Sequence, residues 1–337
     1  MLKNFLRTKT PKLLALLRVL RSILYEACRA AGHITQYFEK DPCVIIWIDG
    51  GFCSQIFRYL KGRWYVQRGF KVKYDISWYK DPVDCLGIES RDFVLLKYFP
   101  DLDFELAAPR ELSKYRKLYS KSTRSASKYK GHRDKLKAPL YDFLYGLDWV
   151  IDSEKKYEEL TQCLEWGHIH HILSLEAQKI EASIIEDKNK GLQTIGLHVR
   201  RGDMVSKRFA YGGKVLTSKY YEHILSLAAD ENSVVYVFSN GFDFVSEAVI
   251  PHIKCKYILA DKTQGVHEDI FLCSLCDVQL AGQGSLGNRA YSFNKNKNRK
   301  LIRPVLRDGE EQSLPKYYAG SRGTVELVHL TEDMYEQ

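Results

Sequence analysis

Two adjacent arginines close a short apolar run in this chain. Residues 194–205 read Thr-Ile-Gly-Leu-His-Val-Arg-Arg-Gly-Asp-Met-Val. Ile195 to Val199 has the length and branching of a buried strand, and charge and Gly202 mark its end. In open α/β sheets the carboxyl end of such a strand is where ligands bind. Arg200 and Arg201 offer planar, permanently charged forks suited to phosphate oxygens. Strand alternation sends the two to opposite faces, so they are not expected to contribute equally. The plain alternative is a surface strand end with ordinary solvated arginines.

The elements around this motif must position it. Val44 to Ile48 reads as a buried strand that runs into Asp49-Gly-Gly-Phe-Cys-Ser-Gln55. Ile56, Phe57, Leu60 and Trp64 then repeat at helical spacing, and residues 71–78 alternate like a second strand. That order is a Rossmann-type unit, although Gly-x-Gly-x-x-Gly is absent. Gly51 lets backbone approach a ligand, and Ser54 and Gln55 near the helix start offer donors. A tight turn that needs only flexible glycines fits these residues equally well.

After the arginine motif the chain predicts a helix over 219–229 and strands over 233–238, 257–260 and 278–281. A helix opens at His267-Glu-Asp269, whose carboxylates suit a helix amino terminus. Gly282-Gln-Gly-Ser-Leu-Gly-Asn288 then leads into another helix, and a glycine-rich turn there is a ready anion site. The alternation is doubly wound α/β.

Gly196-Leu-His-Val-Arg-Arg-Gly-Asp203 resembles the His-x-Arg-Arg-Gly-Asp signature of the α-1,2-fucosyltransferases. Gly50-Gly-Phe-Cys-Ser-Gln-Ile-Phe57 and Asp75-Ile-Ser-Trp78 resemble the same family's opening segments, with Ser54 where it usually has Asn. The likeness spans about residues 44–305, with departures at Asn240-Gly241 and at Asn288-Arg289. It implies a GT-B fold, two Rossmann-like domains facing a cleft. It implies inverting transfer of L-fucose from GDP-fucose to a galactose-like hydroxyl (α-1,2 linkage) on a polysaccharide or oligosaccharide, without a metal.

By the same likeness His198 and Asp269 read guanine, and Ser285, Gly287 and Asn288 hold phosphate. Ser239, Gly51, Ser54 and Gln55 also fall on the donor side, and Asp75 and Trp78 on the acceptor side. Arg200 is expected to neutralise the departing diphosphate, with Arg201 assisting or buttressing the strand. Asp203 either orients an arginine or acts near the acceptor, where it is a candidate general base. Another GDP-sugar transferase on the same fold is the alternative.

The 337 residues are 45% hydrophobic and 28% charged, an ordinary globular balance long enough for two domains. The expected divisions are a basic segment over 1–40, an acceptor-side domain over 41–190, a donor-side domain over 191–305 and a tail over 306–337. A net charge of +9 favours an anionic partner: nucleotide, nucleic acid or acidic membrane. Residues 1–30 pattern as a basic amphipathic helix, which either lies on the inner face of a membrane or docks on the protein itself. No apolar run there is long enough to span a bilayer.

The basic run over 113–137 reads as a solvated helix–loop, with a lipid-linked acceptor or RNA as the sharper options. Nucleic acid is not the expected partner; a basic nucleic-acid binder is the competing non-enzymatic class. Eight cysteines without framework spacing suit a cytoplasmic chain, and Cys273 and Cys276 read as core. Asp101-Leu-Asp103 and the group Cys163, His168, His170 and His171 are read as a polar loop and a mixed helix surface rather than metal sites.

Overall fold

The computed structural model describes residues 43–80, 91–112, 141–142, 151, 153–205, 213–307 and 309–336. The amphipathic segment expected over 1–40 and the basic run over 113–137 lie outside the described residues, as does most of the polar loop after Val205. The chain divides into two compact units, one of residues 1–49, 57–81 and 103–150, the other of 50–56, 82–102 and 151–337.

The first unit holds a parallel sheet ordered β2-β1-β3, from β1 (Cys43–Trp47), β2 (Lys71–Asp75) and β3 (Tyr141–Asp142). Val44, Ile45 and Ile46 are fully buried, which is what a β-branched run does when both faces of a sheet are covered. Helix α1 (Phe52–Val66) follows β1. Tyr59 stacks on Tyr74 and Phe104, so aromatic area fixes α1 on β2 within this unit.

The second unit begins its helical layer with α2 (Glu154–Thr161) and α3 (Leu175–Asn189). Ser153 and Ser174 cap them, accepting from the backbone N–H of Lys156 at 3.3 Å and of Ala177 at 3.2 Å. Then come β4 (Gln193–Val199), β5 (Val215–Leu216), α4 (Ser218–Ala228), β6 (Ser233–Ser239), α5 (Phe242–Ala248) and β7 (Lys256–Leu259). The chain continues through α6 (Val266–Leu275), β8 (Val278–Ala281), α7 (Leu286–Phe293) and β9 (Lys300–Val305). It ends in α8 (Glu310–Tyr318), β10 (Thr324–His329) and β11 (Tyr335–Glu336).

Six of these strands form one parallel sheet ordered β10-β9-β8-β4-β6-β7. The chain runs outward from β4 to β6 and β7, then returns beside β4 and runs the other way through β8, β9 and β10. That is the doubly wound order, and its switch point lies between the carboxyl ends of β4 and β8. Ile195, Leu197 and Val199 are fully buried in one core with Tyr220, Val235, Val237 and Leu280. Each such side chain contributes about 1.5–3 kcal/mol by leaving water.

Two expected boundaries are corrected. Residues 151–190 group with the second unit rather than closing the first, because Ala177, Ile180 and Ile184 of α3 are buried and α3 packs on β4 and α6. Residues 306–337 are not a tail: β10 pairs with β9 along its whole length, and β11 pairs with β5.

Candidate active site

At the switch point the pleat of β4 sorts its residues. Ile195, Leu197 and Val199 enter the core, which leaves Gly196, His198 and Arg200 on the opposite face. Gly196 is there for space, since a Cβ at that position would stand 2.7 Å from the Sγ of Cys273 on α6. His198 is buried, and desolvation, reinforced by the Arg200 charge, pushes its pKa down to about 3. At neutral pH it is therefore an uncharged imidazole with one acceptor nitrogen.

Arg200 leads directly to the turn after β8. Its Cγ is 3.6 Å from where a Cβ on Gly284 would stand, so its stem lies against that turn. Gly284 has φ of +103°, a conformation that excludes other residues. Ser285 follows as the exposed residue before α7, whose first-turn amides have no partner from within the helix. The structure thus brings a guanidinium stem and a helix amino terminus together at the edge where a doubly wound sheet binds ligands.

Arg201 faces the other way. Its backbone N–H donates to Asn240 Oδ1 at 2.8 Å, and its Nη1 donates to the carbonyl of Leu216 at 3.1 Å. The guanidinium carbon lies 3.9 Å from the ring centre of Phe244. Arg201 is a buttress in this structure, not a neighbour of the glycine turn. Ser239 does related work: its hydroxyl donates to Val199 O at 2.8 Å and accepts from Gly241 N–H at 2.9 Å. Asp203 lies in the short 3-10 turn Gly202–Val205 that follows the arginines.

Asp269 stands in the first turn of α6 and accepts from the Thr263 hydroxyl at 2.7 Å. Burial raises its pKa to about 7 against that hydrogen bond. Its neighbour Glu268 is committed to structure, accepting from Ser174 N–H at 2.6 Å and from the Ser174 hydroxyl at 3.1 Å. His267 stacks on Tyr98 with ring centres 3.9 Å apart.

The glycine turns divide by role. A Cβ on Gly287 would stand 2.8 Å from the Cβ of Ala281, so Gly287 serves the close packing of α7 on β8. Asn288 donates to Gly284 O at 3.2 Å and braces the turn. In the first glycine turn, Gly50 has φ of +72°, and a Cβ on Gly51 would be 3.4 Å from Nη1 of Arg91. Ser54 lies against Gly50, its Oγ 3.2 Å from that glycine's Cβ position.

Gln55 is fully buried, and its amide is used up by the protein. It donates to Gly50 O and Asp92 O and accepts from the N–H groups of Val94 and Leu95, at 2.8–3.2 Å. It therefore pins residues 92–95 to the turn. In the first unit Asp75 is buried and accepts from Ser77 N–H at 2.9 Å, and half-buried Trp78 packs edge-on to Tyr79.

Sequence reasoning missed three contributors. Gln283 is buried, accepts from Leu216 N–H at 2.9 Å and donates to Met204 O at 3.0 Å, which anchors the segments on either side of residues 206–212. Cys53 shares a hydrogen bond with Ser285 and lies within electrostatic reach of Arg289 and Arg200. Arg289 itself lies over the Tyr157 ring at 4.1 Å. The signal for Gln283 was present, a polar residue between two glycines at a strand end; its partners were not.

No group of metal-ligating side chains forms among the described residues. His170 instead pairs with Glu181 at 2.9 Å, Asp103 pairs with Arg63 at 3.2 Å, and Cys273 and Cys276 are buried. No helix among the described residues is long and apolar enough to cross a membrane.

The family model of glycosyl transferase family 11 matches residues 157–319. The matched residues contain β4, Arg200, Asp269 and the turn at 284–288, and so enclose the switch point. No curated protein sequence matches the chain.

Among solved structures, the fucosyltransferase NodZ from Bradyrhizobium is similar at 12% identity and a TM-score of 0.47, over 75% of this chain and 92% of that one. NodZ α-1,6-fucosyltransferase soaked with GDP-fucose is similar at 14% identity and a TM-score of 0.47, over 75% and 93%. POFUT1 in complex with GDP is similar at 10% identity and a TM-score of 0.32, over 86% and 99%.

Proposed function

We propose that this protein is an inverting fucosyltransferase that moves L-fucose from GDP-fucose to a galactose-like hydroxyl, forming an α-1,2 linkage on a surface polysaccharide or oligosaccharide. The observation that carries the reading is the stem of Arg200 packed on the Gly284–Ser285 turn, inside the residues that match glycosyl transferase family 11.

The physical problem in such a transfer is departure of a diphosphate from the anomeric carbon. Negative charge grows on the leaving phosphate in the transition state, and a fixed cation beside a helix amino terminus stabilises it without reorganisation. In this reading Arg200 supplies that cation and the first amides of α7 supply the dipole end. Arg201, Ser239 and Gln283 keep the strand ends in register so that Arg200 stays aimed. His198 accepts a hydrogen bond as a neutral ring, and Asp269 as a carboxylate accepts from the N–H edge of guanine. Asp203 is the candidate base for the acceptor hydroxyl, and Asp75 and Trp78 belong to the acceptor side. With cation and dipole supplied by the chain, no metal is needed.

The enzyme is placed in the cytoplasm, with residues 1–30 touching the inner face of the membrane and a lipid-linked acceptor within the proposed range. Nucleic acid has no part in it. A melting series with GDP, UDP, ADP and CMP, with and without EDTA, tests the donor. GDP is expected to raise Tm selectively and equally in both conditions, because only the folded state binds it. An equal response to all four nucleotides, or one abolished by EDTA, contradicts the reading. Incubation with GDP-fucose and other GDP-sugars then distinguishes fucose from a different sugar.

A further inference from the structure

A nucleoside diphosphate carries more negative charge than one arginine balances. Arg201, the obvious second cation, is turned to Leu216 and Phe244 and is spent there. Another guanidinium on α7 stands closer to the turn in the chain. Arg289 lies one helical turn beyond Ser285, its N–H donating to Ser285 O at 2.9 Å, so the two side chains share a face.

We propose that Arg289 is a second guanidinium for the donor's diphosphate, positioned by Glu154 and Tyr157; this rests on the GDP-sugar reading above.

A cation in the first turn of a helix is opposed by the helix dipole, so its presence there calls for compensation. Glu154 of α2 supplies it. That carboxyl is 1% exposed and hydrogen-bonds Ser292, and its Oε1 has no hydrogen-bond partner among the described residues. Burial raises its pKa while the Arg289 charge pulls it down. The Tyr157 ring lies beneath the guanidinium at 4.1 Å, and the Tyr317 hydroxyl hydrogen-bonds it. Ring and hydroxyl together fix the plane of the fork while the carboxyl offsets its charge, which is the preorganisation that makes a bidentate phosphate contact effective.

Cys53 marks where that charge is felt. Its thiol shares a hydrogen bond with Ser285 and senses Arg289 more strongly than Arg200. Arg200 comes to the turn from β4 by its stem, and Arg289 comes from α7 one helical turn behind Ser285.

The test is calorimetric titration of the full chain with GDP and with GMP, comparing wild type, Arg289→Gln, Arg289→Lys, Glu154→Gln and Arg200→Ala. Losing one charged contact to the second phosphate is expected to weaken GDP by about tenfold in Arg289→Gln, with GMP changed by less than about twofold. If that variant fails to fold, Arg289→Lys, which keeps the charge and loses the fork, is expected to weaken GDP several-fold with GMP unchanged. Glu154→Gln is expected to follow in the same direction. A role in packing alone would lower both nucleotides together. Equal losses for GDP and GMP, or no loss in the Arg289 variants while Arg200→Ala weakens GDP, overturn the proposal and leave the donor reading standing. Absence of GDP binding by the wild type overturns both.

Discussion

Under the proposed guanine contact, Asp269 links nucleotide recognition to pH. Its pKa in the folded protein is about 7, raised from 3.8 chiefly by burial. The raised value has a definite sign. Below pH 3.8 the carboxyl is protonated in both folded and unfolded chains, and it has no effect on stability. Between 3.8 and about 7 the unfolded chain releases its proton first, so stability falls as pH rises, and above 7 the loss is complete. At about 1.36 kcal/mol for each pH unit between the two values, the loss is at most about 4 kcal/mol. That figure already includes the opposing hydrogen bond from the Thr263 hydroxyl at 2.7 Å.

Asp269→Asn removes the charge and keeps the shape. Urea denaturation should show the variant gaining stability over wild type at pH 8, by about 1–3 kcal/mol, and losing that advantage at pH 4.5. If Asp269 accepts from guanine as a carboxylate, GDP affinity of the wild type rises as pH passes through 7 and the Asn variant loses it. A variant equally stable at both pH values, with GDP affinity flat from pH 6 to 8, would refute the linkage.

Three further outcomes follow from the site's packing. Gly287→Ala forces a methyl to within 2.8 Å of the Ala281 Cβ, and chemical denaturation should show a loss of about 1–3 kcal/mol. Gln55→Leu leaves the N–H groups of Val94 and Leu95 without their acceptor, and should cost about 2–4 kcal/mol and speed proteolysis or hydrogen exchange over residues 92–95. Arg201→Ala removes the bond to Leu216 O and the stack on Phe244; it should lower Tm and reduce turnover by less than about tenfold, since its charge is not at the turn.

Much of the six-stranded sheet was legible in the chain. The apolar runs at 195–199, 233–238 and 278–281 carry strand length and branching, and β4, β6 and β8 form there. Alternation alone separated Arg200 from Arg201, and the structure sends them to opposite faces of β4. Helix α6 opens where Glu268 and Asp269 announced it.

Other features were hidden for physical reasons. Lys300-Leu-Ile-Arg-Pro-Val305 mixes charge and proline and reads poorly as a strand, yet β9 pairs on both sides. Gln55 offered itself as a ligand donor, but its four hydrogen bonds join it to Gly50 and to residues 92–95, and partners nearly forty positions away leave no local trace. Gly287 fits a phosphate turn by composition, while its neighbour Ala281 shows that close helix–strand packing also demands a glycine. Arg289 became legible only once α2 lay beside α7.

The central claim is that the guanidinium of Arg200 stabilises the departing diphosphate. Turnover of GDP-fucose by Arg200→Ala, measured beside wild type with melting curves to show that both are folded, tests it most directly. Loss of one transition-state charge donor predicts a fall of about 100-fold or more in turnover with Tm little changed. A folded Arg200→Ala protein that turns over GDP-fucose at a near wild-type rate would contradict the account.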